Sequence, residues 1–192
     1  MVIDPLSLTA LSAAALTSGI TFLYGQATEL LRRRRDRKDA EAKGDQPASE
    51  PIPVRHPEAL DGTLAPLTVD TNEEDKLADD VATLRRELSD YVEGLETIDP
   101  DDRQLVVRAA ALREALESIF GQRITFKGER RDPTGTPVVQ GSADVGAIRA
   151  ALTVVKVGNV TSGRVDGKLR ANVIEGDAEV KVVETGDIGS GH

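Results

Sequence analysis

Cysteine is absent from this chain of 192 residues, and so is tryptophan. Without cysteine there are no disulfides, no thiolate metal sites and no cysteine nucleophile. Phe and Tyr together make up only 3 % of the sequence, which argues against base-stacking platforms and large aromatic pockets. Histidine occurs twice, at His56 and His192, and neither has a ligand-spaced partner, so no metal is assigned. Positive charge is also scarce overall. A formal charge of −9 and a pI near 4.8 argue against a general nucleic-acid binder. No GxxxxGKS/T or GxGxxG phosphate loop follows a strand pattern. These absences together point away from an enzyme and leave no cofactor, nucleic acid or small-molecule substrate to assign. The length allows one modest domain with tails, or two very small ones.

What is present is unevenly arranged. Arg outnumbers Lys 17 to 7 among abundant Ala, Gly, Val and Asp, the bias of a GC-rich, actinobacterium-like source. Residues 32–43 hold seven basic side chains against three acidic ones, and the rest of the chain is correspondingly more acidic. This basic collar directly follows a run of 24 uncharged residues, Pro5 to Thr28. Asp4-Pro5 is a helix start, with Asp as cap and Pro at the first helical position. At ~1.5 Å per residue the run reaches ~36 Å, enough for a bilayer core of ~30 Å. Leu6, Leu8, Leu11, Leu16, Ile20, Phe22, Leu23 and Tyr24 would form the membrane-capable face, and Arg32, Arg33, Arg34 and Arg35 the basic stop. The positive-inside rule then puts the N-terminus out and the bulk of the chain in the cytoplasm. A second reading uses the same residues. Leu16, Ile20, Leu23, Ala27 and Leu30 recur at 4-3-4-3 spacing, a stripe that a helix buries against protein, and the whole chain is then cytoplasmic. Ala14 with Ser18, and Ala15 with Gly19, offer small-residue faces to a partner helix. A cleaved signal lacks its basic leading region.

Residues 39–70 contain five of the nine prolines and few large apolar side chains, so they read as a disordered linker. Beyond it, Thr71-Asn72-Glu73-Glu74 has the form of a capping box. Leu77, Val81, Leu84, Leu88, Tyr91 and Leu95 follow at heptad spacing. A second helix opens at Asp99-Pro100-Asp101-Asp102, carries Leu105, Ala109, Leu112, Leu116 and Ile119, and stops at Gly121. The two make an antiparallel hairpin whose thin core needs a third surface. Arg85, Arg86, Glu87, Arg108, Arg113 and Glu114, off the seam, read as solvated faces.

From Arg123 onward, Val-rich runs alternate with glycines, a strand pattern. Gly158-Asn159-Val160-Thr161-Ser162-Gly163 is echoed by Gly186-Asp187-Ile188-Gly189-Ser190-Gly191, 28 residues later. Such an echo fits a small antiparallel sheet on the hairpin, a short solenoid of rungs, or strands that pair between chains. The self-association set is Val155, Val157, Val160, Val180, Val182 and Ile188.

The Phe22–Arg37 stretch, FLYGQATELLRRRRDR, and the Gly121–Thr136 stretch, GQRITFKGERRDPTGT, resemble actinobacterial small proteins of the same layout. That layout is similar to bacterial Bell-type cell-death effectors, which join a membrane-attacking helical domain to a C-terminal amyloid-signalling motif. The resemblance implies membrane attack triggered through a β tail, and it implies no catalytic residues.

The sequence therefore predicts an α+β chain: a membrane-capable helix with basic stop over 1–38, linker 39–70, helical hairpin 71–122 and a glycine-punctuated β region 123–192. The expected function is that of a membrane-associated signalling or adaptor protein, in its sharper form a conditional membrane-disrupting effector. The alternative is a soluble structural or assembly protein whose N-terminal helix is buried in a helical bundle. Expected partners are a membrane or a partner helix, and further copies of the chain in a homo-oligomer.

Overall fold

The computed structural model describes residues 6–45, 51–148, 152–157, 164–174 and 180–185. The chain divides into two compact units, Met1–Gly135 and Thr136–His192.

The first unit is helical, as the first part of the α+β expectation requires. A single turn, α1 (Leu6–Thr9), precedes α2 (Ala13–Lys43). The uncharged run is therefore not one helix. Ser12 adopts an extended backbone, and its hydroxyl accepts from the Ala15 N–H at 3.2 Å, which starts α2 afresh. Asp4 and Pro5 lie outside the described residues. α2 passes straight through the basic collar and ends at Gly44, whose φ of 78° makes it a left-handed cap. The boundary expected at residue 38 thus falls inside a helix.

Leu16, Ile20, Leu23, Ala27 and Leu30 are all buried, so the 4-3-4-3 stripe faces protein. The transmembrane expectation is corrected here: among the described residues no helix is long and apolar enough to cross a membrane. The physical reason lies in α2 itself. Its serines and threonines alternate with the stripe, and Thr17, Ser18, Thr21 and Thr28 bond back to the carbonyl four residues earlier.

Gly19 lies on the stripe because an aromatic ring sits on it. A Cβ added there would lie 2.9 Å from ring carbons of Phe126, whose ring also meets Phe22 edge-on at 6.3 Å. Gly25, in the same helix, faces open space. Gly19→Ala should therefore lower stability by about 1 kcal/mol or more, since overpacking (~1–3 kcal/mol) outweighs helix propensity (~1 kcal/mol). Gly25→Ala should raise stability by up to ~1 kcal/mol. Paired thermal melts check both, and equal shifts of one sign would contradict the packing.

The segment expected as linker is only partly one. Residues 46–50 lie outside the described residues. Residues 51–70 are ordered against the bundle, with Ile52, Ala59, Leu60, Leu64 and Leu67 buried. Backbone bonds fix them: Ile52 N–H to Leu67 O at 3.1 Å, Asp61 N–H to Thr125 O at 2.8 Å, and Thr134 N–H to Asp61 O at 2.8 Å. Proline density hid five apolar side chains spaced to be buried one or two at a time.

α3 (Thr71–Glu87), the short α4 (Ser89–Val92) and α5 (Arg103–Phe120) form the hairpin. Its sense is antiparallel. The start of α3 meets the end of α5 through Asp70 N–H to Ile119 O at 2.9 Å, and the end of α3 meets the start of α5 through Glu87 and Arg108 at 3.1 Å. The first cap is Asp70 rather than Thr71, because its carboxylate accepts from both the Asn72 and the Glu73 N–H. The seam is buried at Val81, Leu88, Leu105, Leu112 and Leu116, and half-buried at Leu77, Leu84 and Tyr91. Leu95 is 74 % exposed, so it leaves the seam. The helix breaks at Leu88, and the register set by α3 does not survive the break. α2 supplies the third surface, packing on α3 and α5.

The second unit contains β1 (Val138–Ile148), β2 (Leu152–Val157), β3 (Arg164–Ile174) and β4 (Val180–Thr185). β1 pairs with β3 and β2 with β4, both in parallel, so the pairing is not that of an antiparallel meander. The segment Arg123–Gly135, expected with the strands, belongs to the helical unit.

Candidate interaction surfaces

The basic collar is largely neutralised within the protein. Arg32 and Arg33 both reach Glu29, at 2.7 and 2.8 Å, and Arg32 also bonds Asp36 at 2.7 Å. Arg34 bonds Asp75 of α3 at 2.9 Å, and Arg37 bonds Glu74 of α3. Farther along, Arg85 of α3 donates to the Thr28 hydroxyl at 2.7 Å and the Tyr24 hydroxyl at 3.0 Å, with its guanidinium 4.8 Å from the Tyr24 ring centre. Of the expected membrane stop, Arg34 reaches α3 and, with Arg37, ties it to α2, Arg32 and Arg33 pair within α2, and Arg35 is exposed. Arg85, expected on a solvated face, adds to this clamp between α2 and α3.

Glu29 is the strongest titratable element of the collar. The Arg32 guanidinium bonded to it, helped by Arg33 and opposed by burial, holds its carboxyl down from 4.5 to about 2. A carboxylate depressed on folding contributes stability that is complete above ~4.5 and lost as pH falls toward ~2. Glu29→Gln should therefore cost about 1–2 kcal/mol at pH 7, discounted because Arg32 is half in solvent. The difference from wild type should vanish between pH 4.5 and 2 in acid-titrated melts. A pH-independent difference would contradict the assignment.

A second charged group lies inside the unit, where sequence reasoning placed none. Arg113 on α5 is 2 % exposed and bonds Glu129 at 2.6 Å and the Ser7 hydroxyl of α1 at 3.1 Å. One turn on, Glu117 accepts from Arg123 at 3.2 Å, from Arg131 at 3.3 Å and from the Ile124 N–H at 2.8 Å. Burial pushes Glu129 up and Arg113 down, in each case toward the neutral form, against their mutual attraction. The cluster ties Gln122–Arg131 onto α5. Its charged side chains are nearly all buried and bonded to one another, the geometry of a structural lock. A signal existed in the sequence: Val106, Ala110 and Ala115 lie off the seam and are buried, so α5 is covered on more than one side. Among the described residues no group of three or more His, Asp or Glu side chains is arranged to hold a metal ion.

Of the expected membrane face, Leu8, Leu11, Leu16, Ile20, Phe22 and Leu23 are core, Tyr24 is half-buried, and Leu6 opens α1. Of the self-association set, Val155 and Val157 lie in β2 and Val180 and Val182 in β4; Val160 and Ile188 lie outside the described residues. The parallel registers are constant. Val138 faces Arg164 and Ile148 faces Ile174, 26 residues apart; Leu152 faces Val180 and Val157 faces Thr185, 28 apart. The second spacing equals that of the glycine echo. No family model, curated protein or solved structure matches the chain.

Proposed function

We propose that the chain is an assembly protein, in which a closed helical unit is carried by a strand unit that stacks with further copies of the chain. The constant parallel register carries this reading. It makes two successive stretches of sequence interchangeable as ladder partners, and a second copy offers the same stretches again. Among the described residues each strand has one ladder partner, and a strand edge with no partner is a template for a further strand. Two-stranded sheets are marginal alone, and further rungs complete their hydrogen bonding. The burial of the α2 stripe supports the companion half of the reading, a helical cargo or adaptor domain rather than a bare membrane anchor. Sedimentation velocity of the full chain over a concentration series tests it. Large species should grow with concentration and be lost in Val157→Lys and Val182→Pro, with the helical circular dichroism kept. A chain monomeric throughout would overturn it.

A second reading rests on the clamp. α3 packs its seam on α5, and the Arg34–Asp75 and Arg37–Glu74 pairs add a charged tie from α3 to α2 beside the apolar stripe, one that high salt or an anionic surface competes for. Removal of α3 would present the stripe and the collar together to an anionic membrane surface. Flotation with anionic vesicles at low and high salt tests this. No binding under any condition would leave the assembly reading alone.

A further inference from the structure

The two registers oppose acid to base. Asp144 in β1 stands at the register position of Arg170 in β3, and Lys156 in β2 at that of Glu184 in β4. Among the described register pairs, every pair in which both members are charged is of opposite sign. The signs also invert from one rung to the next. The rung formed by β1 and β2 carries an acid then a base, and the rung formed by β3 and β4 carries a base then an acid. When β3 and β4 of one copy receive β1 and β2 of the next, Arg170 meets a new Asp144 and Glu184 a new Lys156. When like edges meet, Asp144 meets Asp144 and Lys156 meets Lys156, and opposed like charges destabilise a ladder.

We propose that these two acid–base register positions form a polarity code, which docks the β3/β4 edge of one copy on the β1/β2 edge of the next. It rests on the stacking reading above and adds the direction and selectivity of the stack. The contact is head-to-tail and joins two different surfaces, so it propagates rather than closing into a two-fold dimer. The occupant of the edge is a second copy of this chain, because its successive strands β1 and β2 bring an Asp and a Lys to the two positions at once.

The test uses four full-length variants at low salt: Lys156→Glu, Glu184→Lys, the double exchange, and Lys181→Glu. Lys181→Glu makes the same charge change opposite the uncharged Thr153. Each single exchange should reduce the sedimentable fraction about tenfold, through one like-charge contact within the chain and one between copies. The double exchange should recover assembly, and Lys181→Glu should assemble like wild type. An equimolar mixture of the two single variants should also assemble, in alternating copies, because every contact between copies is again acid on base. Helical circular dichroism of each variant verifies that the helical unit is intact. Wild type that fails to assemble overturns the stacking reading itself. Wild type that assembles, with single variants that assemble equally, overturns the code alone. A double variant that recovers while the mixture does not places the pairing within one chain and overturns the docking of copies.

Discussion

Glu129→Ala should destabilise the helical unit by about 3–5 kcal/mol, because it leaves the Arg113 charge buried without its closest counter-charge. The distance of 2.6 Å and the near-complete burial of both side chains make this pair different in kind from the exposed pairs of the collar. The pair is not thereby a net source of stability. Burial drives both pKa values toward neutrality, and the cost of desolvating two charges is of the same order as their attraction. Arg113→Met combined with Glu129→Leu should accordingly restore stability to within ~1 kcal/mol of wild type or exceed it. The sign of the pH effect follows. A carboxyl raised on folding binds its proton more tightly in the folded state, so ionising Glu129 lowers stability as pH rises above its unfolded value near 4.5. Glu29 tilts the acid limb the opposite way. Urea denaturation of the two single variants and the double variant measures the coupling. Singles within 0.5 kcal/mol of wild type, or a double variant as damaged as the sum of its singles, would contradict it.

These residues also mark where a sequence stops being legible. Periodicity identified α2, α3 and α5 and part of what each buries, because a helix with one apolar face has few ways to hide it. It could not see that α3 breaks at Leu88, so it carried the heptad on to Leu95, which is exposed. It assigned Arg113 to solvent because a charged residue is seldom buried without a partner, and the partner, Glu129, is supplied by a loop beyond the helix. The uncharged run was ambiguous for a similar reason. Length and absence of charge describe a membrane span and a central bundle helix alike. What separates them is the presence of protein to cover the stripe. That cover comes in part from 51–70, where prolines argued for a solvated spacer. The parallel strand registers were foreshadowed by the 28-residue echo, although spacing alone does not distinguish rungs from hairpins.

The position of the boundary between units provides the second large effect. A chain ending at residue 122, where composition changes, should fail to fold cooperatively, whereas one ending at residue 135 should retain the helical unit. The thirteen residues between contribute Ile124 and Phe126, both buried, with the Phe126 ring on Gly19 and Phe22. They also carry Arg123, Glu129 and Arg131 of the buried charge cluster, and the carbonyl of Thr125 that accepts from Asp61. Losing two such apolar side chains costs about 5–9 kcal/mol. Removal of Glu129 adds the unpaired Arg113, and Glu117 loses three donors at once. A domain of this size has only about 5–15 kcal/mol in all, so the shorter chain has little or nothing left. Thermal melts of the two truncated chains, followed by helical circular dichroism, decide the point. A cooperative melt at the same temperature from both would mean that Phe126 and its neighbours rest on the bundle without holding it together.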